Sequence, residues 1–203
     1  EGILKLLDAN ELRAVLGHEI SHLKNRDVLT ITLLSVIPMI LYRIFWHLTF
    51  YGGRRRDRGN SALIGLAAFL FYFVTNLLVL YASRLREHFA DEGSIRLGNR
   101  PEWLASGLYK LVYGSARLDK ASLKESEGMK AFFLNDPSKA LHEIQELSQL
   151  DADRSGKIDA FELQSMRVKK VRLGFADRLM EILSTHPNML KRIRRLSQYQ
   201  PRG

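Results

Sequence analysis

The chain contains no cysteine and only five prolines among its 203 residues. Without cysteine there are no disulfide bonds and no thiolate metal ligands, which fits a reducing compartment. Acidic residues are also in the minority, with 22 Asp and Glu against 31 Lys and Arg and a formal charge of +9. Because no aromatic-basic RNA motif and no zinc-finger spacing accompany this charge, we expect an anionic lipid surface, and not nucleic acid, as the partner.

Charged residues are missing from one long stretch. Residues 61–83 carry none, and this length matches the about 20 apolar residues that cross a bilayer. Residues 28–50 are also apolar but include a proline, an arginine and a histidine, so this segment either crosses the membrane or dips into its interface. We predict a transmembrane hairpin over residues 28–83 with an arginine-rich loop at 51–60. The alternative for each segment is a buried core helix.

A helix is predicted shortly before the first apolar segment. Asp8 followed by Glu11 is typical of a capping box. The apolar residues that follow recur at helical spacing, and they indicate a helix from about residue 9 to 26. These residues are Leu12, Val15, Leu16, Ile20 and Leu23.

Within this helix, residues 18–22 read His-Glu-Ile-Ser-His, an HExxH motif. On a helix, His18 and His22 lie one turn apart on one face with Glu19 beside them, which is the minimal arrangement of a zinc hydrolase. We predict that the histidines bind Zn²⁺, which lowers the pKa of its water to about 7, and that Glu19 takes the proton. The alternative is a helix with two incidental histidines, and a third ligand decides between them.

The best candidate for that ligand is Glu87, in a helical segment that places Asp91 one turn further on the same face. A metal-bound histidine usually donates its other ring N–H to an acid, and we assign Asp91 to His18 in that role. The alternative is two solvated helix acids. Two membrane crossings return the chain to the side it left, as a shared metal site requires.

The basic residues flanking the hairpin predict its orientation. Those on the side of the HExxH motif outnumber those in the loop by seven to four, which places the active site in the cytoplasm. The arginine-rich loop favours the opposite orientation, because such a loop normally stays in the cytoplasm. The loop and the active site would both face the cytoplasm if the first segment does not cross the membrane. The basic residues on the side of the motif are Arg13, Lys24, Arg26, Arg84, Arg86, Arg96 and Arg100. Those in the loop are Arg54, Arg55, Arg56 and Arg58.

Residues 151–162 match a complete EF-hand loop, with Gly156 at the sixth position where the chain turns sharply. Apolar residues on either side predict an entering and an exiting helix. We predict a site for Ca²⁺ or Mg²⁺, and the alternative is an acidic turn that needs no ion. The predicted ligands are Asp151, Asp153, Ser155, the backbone carbonyl of Lys157, Asp159 and Glu162.

Three motifs together resemble the HtpX-type membrane zinc metalloproteases and the related CaaX prenyl proteases, over most of the chain. They are residues 6–22 with the HExxH motif, Ser83-Arg84 leading to Glu87 and Ala90-Asp91, and Thr185-His186-Pro187 followed by Arg192-Ile193.

The resemblance implies an integral membrane endopeptidase with zinc on His18, His22 and Glu87 and with Glu19 as general base. It implies quality control of membrane proteins, with misfolded membrane proteins as substrates. It also implies that His186 lies near the metal, where it stabilises the oxyanion, binds substrate or acts as an extra ligand.

We therefore expect a mainly α chain, with a thermolysin-like (gluzincin) helical catalytic domain interrupted by the hairpin. Because the chain opens at Glu1, close to the catalytic helix, we expect a fragment of a longer protein. The alternative functions are a prenyl-protein processing protease and a noncatalytic membrane protein that binds calcium or acts as a chaperone. The predicted segments are the HExxH region 1–27, the hairpin 28–83, the part with the third ligand 84–138, the EF-hand-like unit 139–170 and the C-terminal part with the His-Pro motif 171–203.

Overall fold

The computed structural model describes residues 2–50, 58–117, 150–168 and 174–199. All regular structure in these ranges is helical, and two of the helices are candidates to span a membrane, which confirms the predicted fold class at that level. The helices are α1 (Gly2–Leu6), α2 (Ala9–Lys24), α3 (Asp27–Phe50), α4 (Arg58–Arg96), α5 (Pro101–Arg117), α6 (Ala160–Ser165), α7 (Phe175–Ile182) and α8 (Met189–Leu196).

Helix α2 begins at the predicted capping box and ends two residues before the expected position. The carboxylate of Asp8 accepts the N–H of Glu11 at 3.0 Å, and the carboxylate of Glu11 accepts the N–H of Asp8 at 2.8 Å. These bonds satisfy amides that have no partner inside the helix. The N–H of Glu11, and after it Lys157, hold the pKa of Asp8 below its usual value.

The buried face of α2 differs from the apolar stripe that predicted the helix. Leu16, Ile20 and Leu23 are exposed. The buried face consists of small and polar residues, because the last part of α4 approaches α2 closely there. Ser94 on α4 donates a hydrogen bond to a backbone carbonyl of α2 at 2.6 Å. The buried residues are Glu11, Ala14, Gly17, His18 and Ser21.

Helices α3 and α4 contain the two apolar segments. Helix α3 and the part Leu63–Arg96 of α4 are each long and apolar enough to cross a membrane. Only 6% and 11% of their most apolar windows are buried within the chain, whereas a core helix would be mostly buried. Helix α4 starts at Arg58, so the end of the predicted loop 51–60 is helical, and residues 51–57 lie outside the described residues.

The chain divides into two compact units. The first comprises Glu1–Ser21, His88–Leu173 and Pro187–Gly203, and the second His22–Glu87 and Gly174–His186. In the first unit, side chains of α2, α5, α6 and α8 contribute to an apolar core. Its most buried members are Ala14, Leu104, Ala105, Ile193 and Leu196.

In the second unit, α3 and α4 pack through aromatic rings. The ring centroids of Phe45 and Phe69 lie 5.0 Å apart, and those of Tyr42 and Tyr72 lie 5.5 Å apart. Ring pairs at such distances attract each other beyond the effect of area burial. Arg84 donates hydrogen bonds to the backbone carbonyls of Ile182 and Ser184 at 2.8 and 2.7 Å, which fixes the end of α7 against α4.

Candidate metal centre

The HExxH motif lies entirely on α2, so His18 and His22 are one helical turn apart on one face. His18 is buried, and His22 is partly exposed. Glu19 follows His18 directly and is exposed, so its carboxylate is accessible to solvent and substrate. The helix therefore presents two imidazoles with a carboxylate beside them, in the arrangement that the sequence predicts.

In the second unit, Glu87 of α4 meets two histidines. Its Oε1 lies 3.7 Å from Nε2 of His22 and 3.5 Å from Nδ1 of His186. The Glu87 side chain is largely buried, whereas that of His186 is about half exposed. The His-Pro segment therefore lies next to the predicted third ligand. Helix α8 begins after Asn188, whose side chain accepts the N–H of Lys191 at 3.4 Å.

In the first unit, Asp91 joins His18 to an arginine. Its Oδ1 lies 3.0 Å from Nδ1 of His18, and its two oxygens accept bonds from Nε and Nη2 of Arg192 at 3.0 and 2.6 Å. Asp91 and Arg192 are both almost completely buried. Burial alone raises the pKa of Asp91, but Arg192 and His18 together lower it to about 2. Asp91 is therefore a carboxylate at neutral pH.

A second carboxylate contacts His22, and the sequence reasoning missed it. Nδ1 of His22 lies 2.5 Å from Oδ2 of Asp27, the first residue of α3. Nε of Arg86 lies 3.0 Å from Oδ1 of the same aspartate. Two signals in the sequence pointed to this pair, because Asp27 follows the motif at the start of a helix and Arg86 directly precedes Glu87.

The donor set fits Zn²⁺. His18, His22 and Glu87 offer two imidazole nitrogens and one carboxylate oxygen, which are ligand atoms that zinc binds. Catalytic zinc sites use three such protein ligands and keep one coordination position open. Each imidazole directs Nδ1 to an aspartate, so Nε2 is the nitrogen that would face the metal.

The predicted cation loop is a separate cluster in the first unit. The ligand oxygens of Asp151, Asp153 and Glu162 lie within 4.8 Å of one another. The N–H groups of Ser155 and Gly156 donate to Asp151, each at 2.8 Å, so the loop folds around this carboxylate. Gly156 has a φ of +78°, a conformation for which glycine is favoured.

The remaining predicted residues of this loop have structural roles in the described contacts. Asp159 caps α6 by accepting the N–H of Glu162 at 2.7 Å. Lys157 pairs with Asp8 at 3.1 Å. The oxygen of Ser155 lies 3.4 Å from the carbonyl of Lys157, which is the oxygen expected to bind the ion. Helix α6 occupies the place of the exiting helix, and the predicted entering helix lies outside the described residues.

Comparisons with known proteins show the family of the chain. Residues 1–200 match the model of peptidase family M48. A protein named protease HtpX homolog from Methanothermobacter thermautotrophicus is 54% identical over 111 residues, which are 55% of this chain and 41% of the relative. Protease HtpX homolog 2 of Methanosarcina mazei is 31% identical over 203 residues, 98% of this chain and 57% of the relative.

A further protease HtpX homolog, from Thermoplasma acidophilum, is 31% identical over 199 residues, 97% of this chain and 58% of the relative. The chain thus spans about half the length of these relatives. No solved structure matches it. The family match covers nearly all of the chain, including the HExxH helix, Glu87 and the His-Pro segment. The chain therefore belongs to peptidase family M48, the metallopeptidase family of the HtpX homologs.

Proposed function

We propose that this chain is the catalytic part of a membrane-bound, zinc-dependent endopeptidase of the HtpX type. The observation that carries the proposal is the pairing of the HExxH helix with Glu87, whose Oε1 lies 3.7 Å from Nε2 of His22. His18, His22 and Glu87 would hold the metal in a thermolysin-like (gluzincin) arrangement. The apolar lengths of α3 and α4 support an integral membrane protein.

The bound zinc would supply Lewis acidity toward the attacking water and the scissile carbonyl. Glu19 has the position of the general base, because it follows His18 on α2 and its carboxylate is exposed. Its carboxylate takes the proton from the attacking water and then carries that proton to the leaving amine nitrogen. Asp91 and Arg192 keep the ring of His18 in one orientation throughout.

His186 would act on the substrate. Its ring nitrogen lies 3.5 Å from Glu87, and its side chain is about half exposed, so the ring reaches both the metal ligand and solvent. A donor in this position stabilises negative charge on the carbonyl oxygen as water attacks. Substrate binding and direct ligation are the alternative roles. His186→Ala with unchanged zinc content and a lower kcat supports the first role, whereas a raised KM alone supports substrate binding.

The substrates would be polypeptides, and misfolded membrane proteins are the class we propose. Prenylated CaaX-type proteins are the alternative, and cleavage assays on both substrate classes separate them. The bilayer is the second partner, with the active site facing the cytoplasm. Because the chain has no cysteine, single cysteines introduced at residue 55 and residue 97 test this orientation with a membrane-impermeant maleimide.

The decisive experiment compares zinc content and proteolysis in the detergent-purified protein. We expect one zinc per chain in the wild type, less in Glu87→Ala, and unchanged zinc in Glu19→Gln. Casein cleavage by Glu19→Gln should fall by at least about 100-fold, the usual contribution of a general base. Glu92→Gln, at a neighbouring acid on α4, is the control. A zinc-free wild type that does not cleave casein would support a noncatalytic protein. Full casein cleavage by Glu19→Gln would contradict the role of Glu19 as general base.

We propose calcium binding as a second function, located at the loop 151–162. It is favoured by the match to the EF-hand pattern and by the convergence of Asp151, Asp153 and Glu162. Ca²⁺ at 100 times its dissociation constant would stabilise the fold by about 2.7 kcal/mol. A calcium-dependent rise in melting temperature that disappears in Asp151→Asn supports the proposal. An equal rise in both proteins, or no rise, contradicts it.

A further inference from the structure

The turn between α2 and α3 has an unusual backbone. Helix α2 ends at Lys24 and α3 begins at Asp27. Arg26 has a φ of 52°, in the left-handed region that residues with a Cβ rarely adopt. Its N–H donates to the carbonyl of Leu23 at 3.1 Å, which closes the turn. The turn folds the chain back so that Asp27 reaches His22.

Asp27 has a different partner on each of its carboxylate oxygens. Oδ2 lies 2.5 Å from Nδ1 of His22, and Oδ1 lies 3.0 Å from Nε of Arg86. The Asp27 side chain is almost fully buried, and that of Arg86 is mostly buried. All three residues belong to the second unit. The arginine and the imidazole therefore contact different oxygens of one buried carboxylate.

The arrangement repeats on the other histidine of the motif. His18 contacts Asp91, and Asp91 is held by Arg192. The order of imidazole, aspartate and arginine is therefore the same on both zinc-ligand candidates. The two sets use different segments of the chain. Asp27 begins α3, and Arg86 lies one residue before Glu87 on α4.

We propose that Asp27 and Arg86 are positioning residues that set the ring orientation and tautomer of His22 for metal binding. The inference rests on the proposed zinc-peptidase function. With Nδ1–H directed at Asp27, Nε2 is the nitrogen that faces the metal. Because Asp27 is the first residue of α3, the start of this candidate membrane helix is part of the support of the metal site.

A simpler role for Asp27 is to begin α3, where an acid interacts favourably with the helix dipole. An exposed acid would serve that role equally well. The helix start therefore does not account for the burial of Asp27 or for the arginine on its second oxygen. The two roles differ in what Arg86 does. If Asp27 only begins the helix, loss of Arg86 leaves zinc binding unchanged.

The test measures zinc release to a chromogenic chelator from the purified protein loaded with one equivalent of Zn²⁺. We expect Asp27→Asn and Arg86→Gln each to weaken zinc binding by about 10- to 100-fold, the usual effect of losing a carboxylate that supports a metal-bound histidine. Arg86→Lys should recover part of the loss. Arg96→Gln is the matched control, because Arg96 forms an exposed ion pair with Glu92 on the same helix.

The double variant Asp27→Asn/Arg86→Gln separates positioning from general destabilisation. Because the arginine acts through the aspartate, the double variant should bind zinc no more weakly than Asp27→Asn alone. If the loss of zinc affinity in the double variant equals the product of the losses in the two single variants, the inference is overturned. Wild-type zinc release from both single variants would overturn it as well. If circular dichroism shows that Asp27→Asn is unfolded, the zinc affinities of Arg86→Gln and Arg86→Lys are compared in its place.

Failure of this inference can be distinguished from failure of the proposed function. If the wild type binds one zinc and His22→Ala loses it, while Asp27→Asn and Arg86→Gln keep wild-type affinity, only the positioning role is wrong. If the wild type binds no zinc, the metal site itself is wrong and the inference falls with it.

Discussion

The ion pair between Arg192 and Asp91 allows a quantitative prediction about stability. Both side chains are almost fully buried, with 1% and 3% of their areas exposed, and the shortest contact between them is 2.6 Å. Removal of one partner from a buried ion pair leaves an uncompensated charge and costs about 3–5 kcal/mol. We therefore expect Arg192→Leu to lower the free energy of unfolding by that amount.

The assay is thermal unfolding of the detergent-solubilised protein, followed by circular dichroism in the presence of a chelator. The chelator removes any contribution of bound metal from the comparison. At about 2–4 °C for each kcal/mol in a chain of this size, the melting temperature of Arg192→Leu should fall by about 6–20 °C. Arg96→Leu is the control, since its exposed ion pair contributes less than about 1 kcal/mol.

A second variant tests the reason for the loss. Asp91→Asn removes the buried negative charge that has lost its arginine in Arg192→Leu, so the double variant should be more stable than Arg192→Leu alone. The reasoning is refuted if Arg192→Leu melts within about 2 °C of the wild type. It is also refuted if the two substitutions destabilise the protein additively.

Three further predictions concern local structure. Gly93→Ala should lower the free energy of unfolding by about 1–3 kcal/mol, because its Cβ would clash with Oγ of Ser21; a neutral result in chemical denaturation would contradict the close approach of the two helices. The pKa of Asp8 is lowered first of all by the N–H of Glu11, so this stabilisation is complete above about pH 4 and is lost as the pH falls through the lowered value. When helicity is followed as the pH is lowered, Asp8→Asn should lose less helicity than the wild type. Identical titration curves of the two proteins would contradict this role of Asp8. Arg26→Gly should raise the melting temperature, since glycine adopts the left-handed region without strain; a decrease would show that the turn is not strained.

The sequence alone determined the elements that depend on local spacing. The HExxH motif and the capping box of α2 are readable because helical periodicity fixes which side chains share a face. The apolar length of residues 61–83 predicted a helix able to cross a membrane, since a bilayer has a fixed thickness. The complete pattern of residues 151–162 predicted the turn at Gly156, because the tight loop requires a glycine there.

Only the tertiary structure decided which distant residues meet. The sequence shows Asp27 shortly after the motif and Arg86 beside Glu87, but their contact with His22 depends on a left-handed turn at Arg26 and on the packing of α3 against α4. The same holds for Arg192, which reaches Asp91 from a helix about one hundred residues further along the chain.

The buried face of α2 was also decided by packing. Periodicity indicated the leucine side, but the structure buries Ala14, Gly17 and Ser21, because only small residues allow the backbone of α4 to come so close. Sequence periodicity identifies a helix and its apolar side. Which side is buried depends on the neighbouring helix, and that neighbour is brought there by contacts distant in sequence.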